Sequence, residues 1–159
     1  MEVFTGGGGL FLIRVCDRVA SMRIIERKPV VIDKIGRVNR NGVKTEPGED
    51  STILYLTQFG FDIDLIMPTS IKNMNNPDIM IMNSVWEIKT PSSYSKATIK
   101  KRFRKAANQA GRIIFDLRNV KKNSDAVEKQ IIDLFSEDGT VRRMIIIEKT
   151  GKVIDIFKR

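Results

Sequence analysis

The sequence predicts an α/β domain with a central mixed β-sheet flanked by helices, and three observations predict it. Short segments with the two-residue period of a strand alternate with longer segments that have the period of a helix. Strands separated by helices favour parallel neighbours, whereas strands separated by tight turns favour antiparallel ones. The chain has 159 residues, of which 42% are hydrophobic and 30% are charged, so it is long enough to build one domain with its own core.

The first part of the chain, residues 1–44, is predicted to be an N-terminal extension or linker with a helix and a strand. Hydrophobic residues near helical spacing favour the helix over 10–23. The pattern of 24–35 favours an extended segment, and the Asn, Gly and charged residues of 38–48 favour an irregular loop. The domain that carries the function is therefore predicted to span residues 45–159.

The first helix of this domain is predicted to begin at Glu49 and to run to about Phe59. Gly60 follows, and a glycine tolerates the left-handed turn that often ends a helix. Glu49, Ile53 and Leu56 are spaced at i, i+4 and i+7, so they share one face. The Glu49 carboxylate is therefore expected at the end of a buried stripe, although an acidic residue in a first helical turn also simply complements the helix dipole.

The remaining elements follow from hydrophobic period and turn residues. Strands are predicted over 61–67, 78–82, 85–90 and 112–117. Helices are predicted over 95–110 and 124–135, and a closing hairpin over 141–148 and 152–157. The resulting order is helix, three strands, helix, strand, helix and hairpin.

The charge of the chain points to a polyanionic partner. Lys and Arg number 28 against 19 Asp and Glu, which gives a net charge of +9. Nucleic acid is the first candidate, whereas a charged surface that only maintains solubility is the alternative. No segment has the length and hydrophobicity of a membrane span. The chain contains no histidine, which excludes hydrolases and ribonucleases that use histidine as acid, base or zinc ligand.

The residues from Asp78 to Lys89 are predicted to form a hairpin with a two-residue turn at Asn83 and Ser84. This register pairs Met82 with Val85, Met80 with Glu87, and Asp78 with Lys89. Paired residues lie on one face of a sheet and side chains alternate along each strand. Asp78, Glu87 and Lys89 are therefore expected on one face.

Two carboxylates and an ammonium group among hydrophobic residues are costly to desolvate. A bound Mg²⁺ or Mn²⁺ would offset that cost, because these ions prefer oxygen ligands and commonly take one or two carboxylates with water and phosphate oxygens. Such an ion could activate water for attack on a phosphodiester, with Lys89 stabilising the charge that develops. Ordinary cross-strand ion pairs at the surface of a hairpin are the alternative interpretation.

The helix predicted over 95–110 is strongly basic. Cationic side chains on its outward face are predicted to contact nucleic-acid phosphates, which would give affinity that falls with salt. These candidate nucleic-acid-binding residues are Lys96, Lys100, Lys101, Arg104 and Lys105. A solvated helix face is the alternative.

These motifs resemble a known superfamily of nucleases. Pro77-Asp78 and Glu87-Ile88-Lys89, in this order of elements, are similar to the PD-(D/E)XK nuclease superfamily. A narrower resemblance is to the C-terminal tRNase toxin domains of the CdiA type, and it covers roughly residues 45–157. The segments that carry it are Gly48-Glu49, Asn76-Pro77-Asp78, Trp86-Glu87-Ile88-Lys89-Thr90-Pro91 and Gln109-Ala110-Gly111-Arg112-Ile113-Ile114.

The resemblance implies a metal-dependent endonuclease that cleaves RNA, first of all tRNA. It implies Mg²⁺ or Mn²⁺ held by Asp78, Glu87 and Ile88, with Lys89 as catalytic lysine and Glu49 as an additional catalytic acid. It further implies action in the cytoplasm, delivery as part of a larger secreted toxin, and an acidic immunity protein as partner.

Three alternatives stay open from the sequence. Related nucleases cut DNA, so a DNA endonuclease with the same residues is the nearest one. The others are a metal-independent ribonuclease that uses Lys and Arg, and a nucleic-acid-binding module without catalysis.

Overall fold

The computed structural model describes residues 22–159, which form eight strands and three helices. The strands are β1 (Met22–Arg27), β2 (Val38–Asn39), β3 (Ile63–Leu65), β4 (Ile79–Ile81), β5 (Ser84–Lys89), β6 (Arg112–Asp116), β7 (Arg143–Ile147) and β8 (Val153–Lys158). The helices are α1 (Pro47–Thr57), α2 (Lys96–Gln109) and α3 (Ser124–Glu137). Elements predicted after residue 45 are therefore present, most within one or two residues of the predicted bounds.

All eight strands join one mixed sheet in the order β1-β8-β7-β6-β5-β4-β3-β2. Both neighbours of β6 run parallel to it. Helix α2 connects β5 to β6 and helix α3 connects β6 to β7, and such helical crossovers join parallel strands. The pairs β3/β4, β4/β5, β7/β8 and β1/β8 are antiparallel. The predicted α/β class with a central mixed sheet is confirmed.

The segment before residue 45 departs from its prediction. The helix predicted over 10–23 lies outside the described residues, apart from its last two, which begin β1. The extended prediction for 24–35 is wrong beyond Arg27, because a short 3-10 turn occupies Ile32–Lys34. The predicted loop 38–48 includes β2, which pairs with β3. Both end strands of the described sheet, β1 and β2, therefore come from the predicted extension, and the domain boundary at residue 44 stays a prediction.

Each face of the sheet is covered by helix. Helices α2 and α3 pack Ile99, Phe103 and Ile131 against one face. Helix α1 packs Ile53 and Leu56, both with no exposed surface, against the other face. The core is thus two hydrophobic layers separated by the sheet, and α1 alone lies on the second one among the three helices of the described residues.

The turn between β4 and β5 corrects the predicted register. It is formed by Met82 and Asn83, with φ of 49° and 60°, and not by Asn83 and Ser84. Positive φ at both central residues is the signature of the type I′ turn that matches strand twist. The pairs are Ile81 with Ser84, Met80 with Val85, and Ile79 with Trp86, so the predicted pairs Met82–Val85, Met80–Glu87 and Asp78–Lys89 are wrong.

The error in the turn leaves the faces of the two strands unchanged. Moving a two-residue turn by one position shifts the pairing by two residues, and side chains alternate with a period of two. Ile79, Ile81, Trp86 and Ile88 therefore still lie in the core. What changes is the neighbour of Asp78, which lies beside Trp86 and Ile88 rather than opposite Lys89.

Candidate active site

Asp78, the residue before β4, is hydrogen-bonded to β5. Its backbone N–H donates to the carbonyl of Trp86 over 3.1 Å, although Trp86 is the pairing partner of Ile79. Two successive residues of one strand thus oppose one residue of the other, which is the pattern of a β-bulge and often redirects a side chain next to an active site. The Asp78 Oδ2 accepts a hydrogen bond of 2.7 Å from the backbone N–H of Ile88.

Glu87 and Lys89 form a buried ion pair next to Asp78. The Lys89 Nζ donates to Glu87 Oε1 and, over 3.2 Å, to the carbonyl of Ile88. Glu87 is 5% exposed, and its Oε2 is buried without a hydrogen-bond partner among the described residues. An unsatisfied buried carboxylate oxygen is costly. A bound cation would lower that cost, as would a proton shared with Asp78, whose hydrogen bond also raises the pKa of Glu87.

The electrostatics link Glu49 to the same cluster. Burial raises the pKa of Glu87 to about 7, with the negative charge of Asp78 acting in the same direction and Lys89 opposing it. Burial also raises the pKa of Glu49, again with Asp78 raising it and Lys89 lowering it. The structure therefore brings the four residues predicted as catalytic, Glu49, Asp78, Glu87 and Lys89, into one interacting group.

The start of α1 is built to approach the end of β5. A Cβ on Gly48 would lie 3.0 Å from Oγ1 of Thr90, so the absent side chain permits this approach of the helix to the residue after β5. One turn later, the buried Thr52 hydroxyl donates to Oδ2 of Asp116 over 2.6 Å. Asp116 is fixed in turn by Arg118 at 2.7 Å. These contacts set the position of Glu49, the residue after Gly48.

The segment before β4 is tied to the end of α2, and the sequence patterns did not predict this. The Asn76 backbone N–H donates to Oε1 of Gln109 over 3.0 Å. The side chain of Asn76 accepts from the backbone N–H of Thr69 over 2.8 Å. Gln109 thus positions the residues that lead into Asp78. The sequence contained one signal for this role, because Gln109 begins one of the segments that resemble the CdiA-type domains.

The basic helix presents its charges as predicted. Ile99, Phe103 and Ala106 are buried, and all five candidate nucleic-acid-binding residues are exposed: Lys96, Lys100, Lys101, Arg104 and Lys105. Their contact with nucleic acid stays a prediction. Gln109, at the C-terminal end of this helix, contacts Asn76, two residues before Asp78. The end of the helix therefore lies next to the segment that carries Asp78.

The donor set suits an ion that needs few protein ligands. Within residues 22–159, no group of three or more carboxylate, cysteine or histidine side chains is arranged to hold a metal ion. Mg²⁺ and Mn²⁺ commonly bind through one or two carboxylates and complete their shell with water and phosphate oxygens. Asp78 and Glu87, with the free Oε2 of Glu87, fit that requirement. The Lys89 ammonium already contacts Glu87 and the Ile88 carbonyl, so these oxygens converge on a positive charge.

The segment that contains the hairpin matches a known protein family. Residues 75–153 match the family described as the contact-dependent growth inhibition CdiA C-terminal domain. This segment, just under half of the chain, is similar to that family. The match includes Asp78, Glu87 and Lys89 and begins after Glu49. By its description, a CdiA C-terminal domain is one part of a larger protein that acts in contact-dependent growth inhibition, in agreement with the predicted larger toxin.

A solved structure has a similar fold. The CdiA-CT/CdiI toxin and immunity complex from Burkholderia pseudomallei is similar with a TM-score of 0.58 and 20% sequence identity. The alignment covers 78% of this chain and 100% of that chain. At this identity the likeness shows a shared fold. No curated protein matches the sequence. No helix between residues 22 and 159 has the length and hydrophobicity to cross a membrane.

Proposed function

We propose that this chain is a metal-dependent endonuclease of the PD-(D/E)XK type that hydrolyses phosphodiester bonds in tRNA or other structured RNA, as the toxic domain of a CdiA protein. One observation carries the proposal. Asp78, Glu87 and Lys89 meet at one end of a hairpin, and Glu87 keeps a buried oxygen without a partner.

Mg²⁺ or Mn²⁺ would be held by the carboxylates of Asp78 and Glu87 and by the backbone carbonyl of Ile88. The ion would supply Lewis-acid stabilisation of the charge on the scissile phosphate. Because Ile88 donates its N–H to Asp78, the same residue fixes one carboxylate and offers its own carbonyl. This arrangement holds the donor atoms in place before substrate arrives.

The roles of Lys89 and Glu49 follow from their surroundings. The Lys89 side chain is 13% exposed, so its charge acts in a partly desolvated environment where electrostatic stabilisation is stronger than in water. It would orient the attacking water and stabilise negative charge on the phosphorus-bound oxygens. The raised pKa of Glu49 suits this carboxyl to take up the proton that the water loses.

Substrate and partner are inferred from charge and from the comparisons. The exposed cations of α2 would bind the phosphate backbone without reading sequence. The similar solved structure is a toxin and immunity complex, so an immunity protein is the expected partner. An acidic surface on that protein would complement the net charge of +9 and cover the site. The domain would act in the cytoplasm of the target cell.

The test is an incubation of the purified chain with total tRNA and with duplex DNA, each in Mg²⁺ and in excess EDTA. We expect cleavage of tRNA in Mg²⁺, loss of cleavage in EDTA, and recovery when Mn²⁺ is added, because removing the ion removes its stabilisation of the transition state.

Each other outcome contradicts a different part of the proposal. Cleavage of DNA alone would overturn the substrate. Undiminished cleavage in EDTA would overturn the metal. If the chain binds tRNA under all conditions and cuts neither substrate, the domain is a nucleic-acid-binding module without catalysis.

A further inference from the structure

A cavity of about 270 Å³ opens beside Asp78. It lies between the start of α1, the loop that follows β2, and the segments that follow β3 and lead into β4. Its lining includes Ile53 and Ile79, which are fully buried, and the partly buried Ile66. Asp78 lines the cavity and also contacts the backbone of Ile88, so this residue is shared between the cavity and the hairpin.

The volume and lining of the cavity suit one small organic group. Small-molecule sites range from about 300 to 1,000 Å³ for drug-sized ligands, so this cavity holds a smaller ligand. Its lining combines six apolar residues with five polar or charged ones. The Thr45 hydroxyl already donates to Asp50 and the Asn76 side chain already bonds the backbone of Thr69, so the carboxylates of the lining are the acceptors available to a ligand. Apolar side chains that can enclose a ring, next to acceptors for its edge, are typical of a site that binds a base.

The charges around the cavity argue against a phosphate as the occupant. Two carboxylates, Glu49 and Asp78, line it together with one cation, Lys44. On the Asp78 side the proposed ion would hold the scissile phosphate, whereas the Glu49 carboxylate repels a further anion and accepts hydrogen bonds from amino groups. A neutral ring with N–H donors is therefore favoured over a second phosphate group.

We propose that this cavity binds a single nucleobase, belonging to an unpaired nucleotide next to the scissile phosphate. The inference rests on the proposed function for its place in the reaction, since Asp78 joins the cavity to the candidate metal ligands. A base can enter only after it leaves the helical stack, so the site selects loops, bulges and single-stranded ends. This adds a source of substrate selection to the non-specific binding by α2.

The first experiment detects the base without any cleavage. Protein labelled with ¹³C at its isoleucine methyl groups is studied by NMR in EDTA. It is titrated with the four ribonucleoside 5′-monophosphates and, as the matched control, with ribose 5-phosphate. We expect at least one nucleotide to shift the signals of Ile53, Ile66 and Ile79, and ribose 5-phosphate to leave them unchanged. Equal shifts with ribose 5-phosphate would show a phosphate site, and unchanged signals with all four nucleotides would show that no base binds. Either result overturns the proposal.

A pair of variants then links the cavity to cleavage. Val43→Trp fills the cavity from its lining residue Val43, and Ile32→Trp adds similar bulk at a residue that is 88% exposed. We expect Val43→Trp to weaken nucleotide binding by about tenfold or more, equivalent to about 1.4 kcal/mol, and to change which RNA positions are cut. Ile32→Trp should behave as the unmodified chain in both assays. Circular dichroism and thermal unfolding verify that both variants fold.

The two proposals fail in different ways. If the unmodified chain cuts RNA and folded Val43→Trp cuts the same positions at the same rate, the base site is wrong and the nuclease stands. If nucleotides shift the three isoleucine signals but no RNA is cut, the nuclease is wrong and the base site stands.

Discussion

Lys89→Met should lower kcat for RNA cleavage by about a hundredfold to a thousandfold, the usual cost of removing one group that stabilises charge in a transition state. Methionine keeps the unbranched apolar stem up to Cε, and it removes the ammonium group that contacts Glu87 and the Ile88 carbonyl. RNA affinity measured in EDTA should change little, because the exposed cations of α2 remain. Single-turnover cleavage with excess enzyme measures the effect on the chemical step.

The matched control for this substitution is Lys34→Met, which removes the same charge from an exposed residue of the 3-10 turn. It should cleave RNA at the rate of the unmodified chain. An equal loss in Lys34→Met and Lys89→Met would show that net charge matters and not the position of the ammonium group. Full activity in a folded Lys89→Met variant would remove Lys89 from the mechanism.

Glu87→Gln should lower the cleavage rate by at least about a hundredfold, since even residues that only support metal ligands typically contribute ten- to a hundredfold. The amide has the shape of the carboxyl group and lacks the charge that Mg²⁺ or Mn²⁺ prefers. Stability should be retained, because the substitution removes a carboxylate whose ionised form is disfavoured by burial. Raising the Mg²⁺ concentration should restore part of the activity if the defect is weaker ion binding.

The control is Glu128→Gln in α3, because burial and the charge of Glu148 raise the pKa of Glu128 to about 7 as well. For each glutamate the folded-state pKa lies above the ordinary value of 4.5. The folded state then binds more protons between about pH 4.5 and 7, so the free energy of unfolding falls as pH rises through this window. For Glu87 the contribution is at most about 3 kcal/mol.

Both substitutions should therefore flatten the pH dependence of stability, measured by urea unfolding in EDTA between pH 4.5 and 8. Only Glu87→Gln should lose cleavage. A Glu128→Gln variant that loses cleavage to the same extent would mean that the activity depends on buried charge in general. A Glu87→Gln variant with normal cleavage would mean that Glu87 is a structural residue.

The sequence was sufficient to predict the arrangement of elements and the face on which the charged residues meet. Alternation along β4 and β5 places Glu87 and Lys89 on one face whichever two-residue turn is used. Hydrophobic period located α2 and α3, whose buried residues recur at helical spacing. These features depend on local sequence, which explains why a single chain reveals them.

The geometry at Asp78 could not be predicted in the same way. Met82 has a left-handed backbone conformation in the turn. Methionine is not a residue type from which that conformation is predicted. The bulge at Asp78, the approach of Gly48 to Thr90 and the bond from Asn76 to Gln109 join residues that are distant in sequence. Such contacts depend on tertiary packing, and hydrophobic periodicity carries no information about them.

The central claim is that Asp78 and Glu87 share one divalent ion. The most direct measurement is diffraction from crystals of the chain soaked in Mn²⁺, with data collected where manganese scatters anomalously. We predict one anomalous peak within bonding distance of an Asp78 oxygen, the Glu87 Oε2 and the Ile88 carbonyl, with the Lys89 ammonium displaced from Glu87. An occupied manganese site elsewhere, with Lys89 still paired to Glu87, would contradict this claim.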